Sequence, residues 1–372
     1  MLKILQIIPA LNKGGAERLV LDLCNELQKK DKVIVKLICF RKDNAYKFLS
    51  DTVDYQVISS KVIPSVTGKS KVNVGELQNF INQFKPDVIH SHLFETEMVL
   101  SDINYAHAKY FSHFHDNIAQ LAKPRINVFY SKTEFTNAFE RKIVLKSYNR
   151  KKTSFICISK DTQKFAIDNL PNHHKSHLLY NAIDLIRFTN NDKQRKKNSL
   201  IMIGSLVEKK GQDLAIETVA ELKNRGIECE LNLLGDGPKR GILQEKVNEL
   251  NLDKLVHFHG NVDYPEQYLG ESSIYLHTAS YEPFGLVLIE AMAAGLPIVC
   301  SDGVGNRDLI KDGKNGFIVS ERSHKLLADK IEILLTNDDL YIEFKKNALA
   351  FSEKFDITDY VDELIKLYSD HY

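Results

Sequence analysis

Short β-branched runs alternate with helix-length amphipathic stretches along almost the whole chain, in two series separated by a polar, basic stretch at 190–198. The first series has apolar runs at 4–8, 33–40, 55–58, 87–91, 110–114 and 155–159. The second has them at 200–204, 229–234, 256–259, 274–277, 298–300 and 317–319. Strands separated by helix patterns imply parallel sheets with right-handed crossovers, and two such series imply two doubly wound α/β domains. Length agrees, because 372 residues exceed the roughly 250–300 that one core organises. The spacing predicts a first domain at 1–184 and a second at 185–352, joined through 181–198. An amphipathic terminal helix, 353–372, can pack back on the first. Ligands of such sheets sit outside the carboxyl ends of the strands, so two domains facing each other are expected to hold a central cleft.

Composition removes several function classes. Fifty Lys and Arg against 49 Asp and Glu leave a formal charge of +1, so no global field draws the chain to nucleic acid. No apolar run reaches the length of a bilayer span. The N-terminal run lacks a basic leader and breaks at Pro9, so it reads as a first strand rather than a secretion signal. The five cysteines lie in separate apolar runs with no C-x-x-C pair, which fits buried thiols in a reducing cytosol.

The densest chemical signal is YEPFGLVLIEAMAAGLPIVCSD, from Tyr281 to Asp302. Pro283 fixes the backbone before Phe284 and Gly285, a helix pattern follows, and Gly295 and Pro297 stop it. The N–H groups of Phe284, Gly285 and Leu286 are expected at the helix start, where hydrogen bonding and the macrodipole favour a phosphate. Glu290 follows Leu286 by one turn, and Glu282 approaches from the loop. Two carboxylates beside a phosphate repel it unless they bind hydroxyls, an arrangement suited to a nucleotide sugar. Read as ordinary helix chemistry, the same acids simply favour the helix dipole.

Other loops add to this. After the first strand, Gly14-Gly15-Ala16-Glu17 enters a helix, but it matches neither G-x-G-x-x-G nor G-x-x-x-x-G-K-[ST], so the nicotinamide and ATP-loop fingerprints are missing. Gly204 to Gly211 offers Ser205, Lys209 and Lys210 between a strand and a helix. A cation there would neutralise a diphosphate leaving group, although surface lysines are common. His90, His92, His113 and His115 form two i, i+2 pairs at strand ends. They read as satisfied polar residues rather than metal ligands, since no metal-binding spacing accompanies them. No D-x-D occurs, which argues against a metal-held diphosphate.

Together these loops resemble the retaining nucleotide-sugar glycosyltransferases of family 4, with the two-domain GT-B fold. The resemblance rests on the E-x7-E pattern from Glu282 to Glu290, the Gly14-Gly15-Ala16-Glu17 loop, Pro86 to His90, and His115-Asp116. It extends through Ser159, Asn181-Ala182-Ile183-Asp184, Gly235 to Pro238 and Gly303 to Gly305. It implies that Lys210 and the amides of Phe284, Gly285 and Leu286 hold the donor diphosphate. Glu290 would bind the ribose and Glu282 the transferred sugar. Asn261 and Val262 would lie near the base, the Gly14-Gly15 loop would close over the donor, and His115 would stand near the sugar. Catalytic roles would then fall to His115, Lys210 and Glu282, with retention of configuration, no metal and no other cofactor. Two positions depart from the pattern: Ser205 stands where many members have Arg, a bidentate phosphate clamp, and Ala182 replaces the Gly of N-G-x-D.

Acceptor specificity is expected in the first domain. Between Lys123 and Lys152 nine Lys and Arg face two Glu, with Phe129, Tyr130, Phe135 and Phe139 interleaved. This reads either as a solvated basic helix or as a dock for an anionic leaflet or lipid-diphosphate acceptor, at the inner face of the plasma membrane. Three readings stay open: transfer of a sugar, with a UDP donor expected, to a glycan or lipid-linked acceptor in envelope polysaccharide assembly; a nucleotide-sugar 2-epimerase; and a catalytically weakened sugar-nucleotide binder.

Overall fold

The computed structural model describes residues 1–65, 70–124, 131–171, 173–189 and 195–370. The chain divides into two compact units, Met1–Asn181 with Ile357–Tyr372, and Ala182–Asp356.

In the first unit seven parallel strands form one sheet. They are β1 (Leu2–Ile8), β2 (Val33–Cys39), β3 (Tyr55–Val57), β6 (Val88–His92), β7 (Lys109–Phe114), β8 (Ser154–Cys157) and β9 (Ser176–Leu178), in the order β3-β2-β1-β6-β7-β8-β9. A separate antiparallel pair, β4 (Lys61–Ile63) and β5 (Lys71–Asn73), lies outside this sheet. Helices cover both faces of a parallel sheet, so its central strands bury both sides and read as unbroken apolar runs. Ile4, Leu5, Ile7 and Ile8 are all fully buried. The chain steps outward from β1 to β3 and then returns to β6 on the other side of β1. That reversal is a topological switch point.

The second unit repeats the plan. Its strands β10 (Ser199–Ile203), β11 (Glu230–Leu234), β12 (Val256–Gly260), β13 (Ile274–His277), β14 (Ile298–Ser301) and β15 (Gly316–Val319) run in the order β12-β11-β10-β13-β14-β15. Its switch point lies between β10 and β13. Leu200, Met202, Leu231, Leu233 and Val299 meet Leu327 and Ile331 of helix His324–Thr336 in one core.

Some expectations are revised and others hold. Strands β4, β5 and β9 are three residues each, half-buried or exposed, and carry too little apolar alternation to be read from sequence. The stretch 181–198 contains a helix, Leu185–Thr189, within the second unit; residues 190–194 lie outside the described residues. Helix Ile357–Ser369 belongs to the first unit and packs on helix Gly15–Gln28. Lys30 pairs with Asp362 at 2.6 Å, and Lys109 Nζ donates to the terminal carbonyls of Tyr368 and Asp370 at 2.9 and 2.8 Å. Ser159 is fully buried and caps helix Lys160–Asn169 in a capping box with Thr162. All five cysteines are buried and unpaired. No helix among the described residues is long and apolar enough to cross a membrane.

Candidate functional site

In the second unit the sequence-selected loops all leave the carboxyl ends of strands. Ser205 and Lys210 follow β10, Asn261 and Val262 follow β12, and Glu282 to Leu286 follow β13. Lys210 and Glu282 come from the two strands that flank the switch point, and they meet: Lys210 Nζ lies 2.6 Å from Glu282 Oε2. Both side chains are largely buried, at 18% and 10% exposure, so the pair is shielded from solvent and salt. His277, at the end of β13 and fully buried, places Nε2 3.4 Å from the same oxygen. Burial alone pushes the Glu282 carboxyl up. The His277 imidazole and the Lys210 cation more than offset this, and its pKa falls to about 2. Beneath them the buried Tyr275 of β13 exchanges hydrogen bonds with the peptide of Ile203 at the end of β10, at 3.3 Å each way.

The turn carrying Glu282 is held by backbone contacts. Glu282 N–H donates to Gly303 O at 2.8 Å, and Gly305 N–H donates to Glu282 O at 3.1 Å. A Cβ on Gly305 would stand 2.3 Å from Glu282 O and 2.2 Å from Pro283 O, so only glycine allows this approach. Helix Leu286–Ala293 starts one residue later than the Phe284 amide requires. Gly285 is its N-cap with φ 99°, and Phe284 is buried against Phe355 with ring centroids 6.1 Å apart. Gly285 and Leu286 thus open the helix, while Phe284 anchors the turn from below. Glu290 sits half-buried one turn along the helix. Asn261 and Ser205 are exposed, and Val262 is half-buried. His277 was missed in the sequence because a lone histidine ending an apolar strand carries no pattern.

The first unit holds the other selected residues. Gly14 caps helix Gly15–Gln28, and Tyr46 clamps its peptide: Gly14 N–H donates to Tyr46 Oη at 3.1 Å, and Tyr46 Oη donates to Gly14 O at 2.9 Å. Gly15 is exposed beside it. His115 follows β7 and reaches His92 of β6, with its Nε2 2.9 Å from His92 Nδ1.

Of the four histidines, His92 is the satisfied strand-end residue expected, whereas His90 and His113 are not. Strands β6 and β7 lie side by side, β6 flanking the switch point, so register pairing sets His92 against His113 in the core. The rings form a stack: His90 and His113 are 5.2 Å apart with planes 4° from parallel, and His113 and His115 are 4.2 Å apart at 15°. His90 Nε2 and both nitrogens of His113 are buried without a well-formed hydrogen bond. Burial pushes the His90 and His115 imidazoles down to about 3, and it holds His92 and His113 well below the usual range. Ligand atoms of His90, His92 and His113 fall within 4.8 Å of one another. Metal ligands need in-plane lone pairs that converge on one point. The His90 and His113 rings are near-parallel, the His92 ring is tilted 36° from each, and both His92 nitrogens are engaged in hydrogen bonds.

The basic stretch from Lys123 to Lys152 is partly structural. Arg125, Phe129 and Tyr130 lie outside the described residues. On helix Lys132–Lys151, Arg150 donates to Ser101 O and Ile103 O at 2.8 and 3.3 Å, and Lys151 donates to Leu100 O. These carbonyls end helix Phe94–Leu100, and cations there complement its dipole. Arg141 donates to Leu121 O and Asn169 O. Lys123, Lys132, Lys142, Lys146 and Lys152 are exposed.

Two family models match the chain: "Glycosyltransferase Family 4" over residues 13–187, and "Glycosyl transferases group 1" over residues 185–351. Among characterised proteins, the poly(ribitol-phosphate) alpha-N-acetylglucosaminyltransferase of Staphylococcus aureus is 24% identical over 70% of this chain and 53% of its own. The N-acetylgalactosamine-N,N'-diacetylbacillosaminyl-diphospho-undecaprenol 4-alpha-N-acetylgalactosaminyltransferase of Campylobacter jejuni is 27% identical over 62% of this chain and 63% of its own. The aligned regions therefore span little more than half of those relatives. The crystal structure of Anabaena HepE in complex with UDP and glucose superposes over 100% of both chains with a TM-score of 0.79 at 20% identity.

Proposed function

The chain belongs to the family 4 glycosyltransferases of the GT-B fold, and from that membership we propose that it transfers a sugar from a UDP-sugar to a glycan or lipid-linked glycan acceptor in bacterial polysaccharide assembly. The observation that carries this reading is the Lys210–Glu282 pair at the switch point between β10 and β13.

A lysine held by a carboxylate is a cation already in place before the substrate arrives, so little reorganisation accompanies binding. On donor binding the Lys210 ammonium turns to the diphosphate. Glu282, kept ionised, accepts a hydrogen bond from a hydroxyl of the sugar. Gly285 and Leu286 present helix-start amides to the phosphates, and Glu290 takes the ribose hydroxyls. The anomeric carbon–oxygen bond then breaks, with its electron pair leaving on the diphosphate, whose charge Lys210 neutralises without a metal. The acceptor hydroxyl attacks the oxocarbenium-like centre from the face the diphosphate leaves and passes its proton to the departing phosphate oxygen, so configuration is retained. Glu282 is already ion-paired, which fits a binding role rather than that of a hydrolase nucleophile. By the family resemblance, His115 of the first unit is the further residue proposed to act on the transferred sugar. HepE binds UDP and glucose by its structure's description, which supports the choice of donor class.

The test is incubation with a panel of nucleotide sugars and extracted acceptors. Free nucleotide with a glycosylated product supports transfer, and NMR of the new linkage reads its configuration. An epimeric donor would instead mean a 2-epimerase, and tight binding without turnover a sugar-nucleotide binder, the reading that exposed Ser205 favours. Turnover abolished by EDTA and restored by a divalent ion would overturn the metal-free reading. We further propose peripheral contact of the exposed lysines at 123, 132, 142, 146 and 152 with an anionic leaflet. Vesicle binding indifferent to salt would overturn it.

A further inference from the structure

The imidazole stack of the first unit continues into a line of hydrogen bonds. His115 Nε2 is 2.9 Å from His92 Nδ1, and His92 Nε2 is 2.8 Å from Gln6 Oε1. Gln6 Nε2 donates to Tyr368 Oη at 3.2 Å, and Tyr368 Oη is 2.6 Å from His90 Nδ1. Gln6, His90, His92 and Tyr368 are all at most 1% exposed, so no bulk water competes for these groups. Each neutral imidazole and the phenol can donate or accept at the linking atoms. An all-imidazole and phenol line would therefore run equally well in either direction. The amide of Gln6 couples the two halves of the line, because one end only accepts and the other only donates, and with its carbonyl on His92 and its N–H on Tyr368 the line has one direction.

We propose that Gln6, hydrogen-bonded to Tyr368 of the C-terminal helix, fixes the tautomer of His115 through His92. The carbonyl of Gln6 faces His92, so His92 carries its proton on Nε2 and offers the Nδ1 lone pair. His115 must then donate from Nε2, which leaves its Nδ1 unprotonated. The amide N–H of Gln6 donates to Tyr368 Oη, whose own proton goes to His90 Nδ1. All three histidines are Nε2–H tautomers as a consequence. Gln6, His92 and Tyr368 are positioning residues, and their effect on turnover rests on the reading of His115 as the histidine beside the sugar.

Long-range 1H–15N NMR of the imidazoles in the full-length protein tests this directly, since protonated and bare ring nitrogens resonate far apart. The expected result is bare Nδ1 and protonated Nε2 for His90, His92 and His115. Protonated Nδ1 on His92 or His115 would overturn the proposal without recourse to any variant. Tyr368→Phe removes the acceptor of the Gln6 amide N–H, so the amide is expected to populate both orientations and His115 to become a mixture of tautomers. Turnover should then fall about tenfold, the equivalent of one hydrogen bond, with donor KM unchanged. His90→Phe sits at the far end of the line, keeps the Gln6–Tyr368 bond, and is expected to leave His115 a single tautomer. Equal mixing in both variants would mean general core disturbance and overturn the assignment. If Tyr368→Phe mixes the tautomers while turnover is unchanged, the line stands and the placement of His115 beside the sugar falls. If His115→Ala abolishes turnover but the wild-type His115 is protonated at Nδ1, the reverse holds.

Discussion

At the scale of single residues, the Lys210–Glu282 pair makes a prediction about both activity and acid stability. Glu282 is depressed from 4.5 to about 2, so its ionised form stabilises the fold fully above about pH 4.5, and the contribution is lost as pH falls through about 2. Lys210→Ala leaves a buried carboxylate without its cation, which costs about 3 kcal/mol near neutrality. The Tm gap between wild type and variant is expected to persist from pH 5 to 8 and to close on acidification, as read by calorimetry. Donor turnover should fall about 100-fold, because a preplaced cation at the leaving group is gone. His113 makes the opposite case. Neither of its ring nitrogens is well bonded, so His113→Phe keeps a stacking ring, removes an unsatisfied buried group and is expected to leave Tm unchanged or higher at pH 7. The residues carrying E-x7-E, the Gly-Gly turn and the paired histidines were legible because each pattern is local. Their partners were not: Gln6 lies 84 positions from its register partner His90 and 362 from Tyr368, and only register and folding unite them.

At the scale of elements, most strands were legible because parallel strands buried on both faces leave continuous apolar runs. Strands of three half-exposed residues leave none, and β4, β5 and β9 escaped for that reason. Helix Lys132–Lys151 shows how a charge pattern can mislead. Its sequence reads as one basic surface, yet Lys151 and Arg150 are committed to carbonyls at the end of helix Phe94–Leu100. The two groups of cations should therefore separate in experiment. Lys151→Met is expected to destabilise the first unit by about 1–2 kcal/mol, measured by denaturant unfolding. The pair Lys142→Gln and Lys146→Gln should leave stability unchanged and weaken binding to anionic vesicles, measured by co-sedimentation at low and high salt.

At the scale of the whole chain, acid should act first on the first unit. Folded His90 and His115 titrate at about 3 against the usual 6.5, so the unfolded chain takes up protons first. Stability is therefore intact above about pH 6.5 and declines as pH falls toward 3. Thermal scans between pH 7 and 4 should show the transition of the first unit moving down before that of the second, whose buried Glu282 stays ionised over this range. The C-terminal helix Ile357–Ser369 is part of the same first unit, with Tyr368 in its core. A ribosome making this chain must finish the second unit before it delivers that helix. The first half to be synthesised is thus the last to be completed, waiting roughly tens of seconds with a bare apolar face. Translation speed and chaperone supply, more than the order of the strands, would then govern how much of this protein reaches its native state.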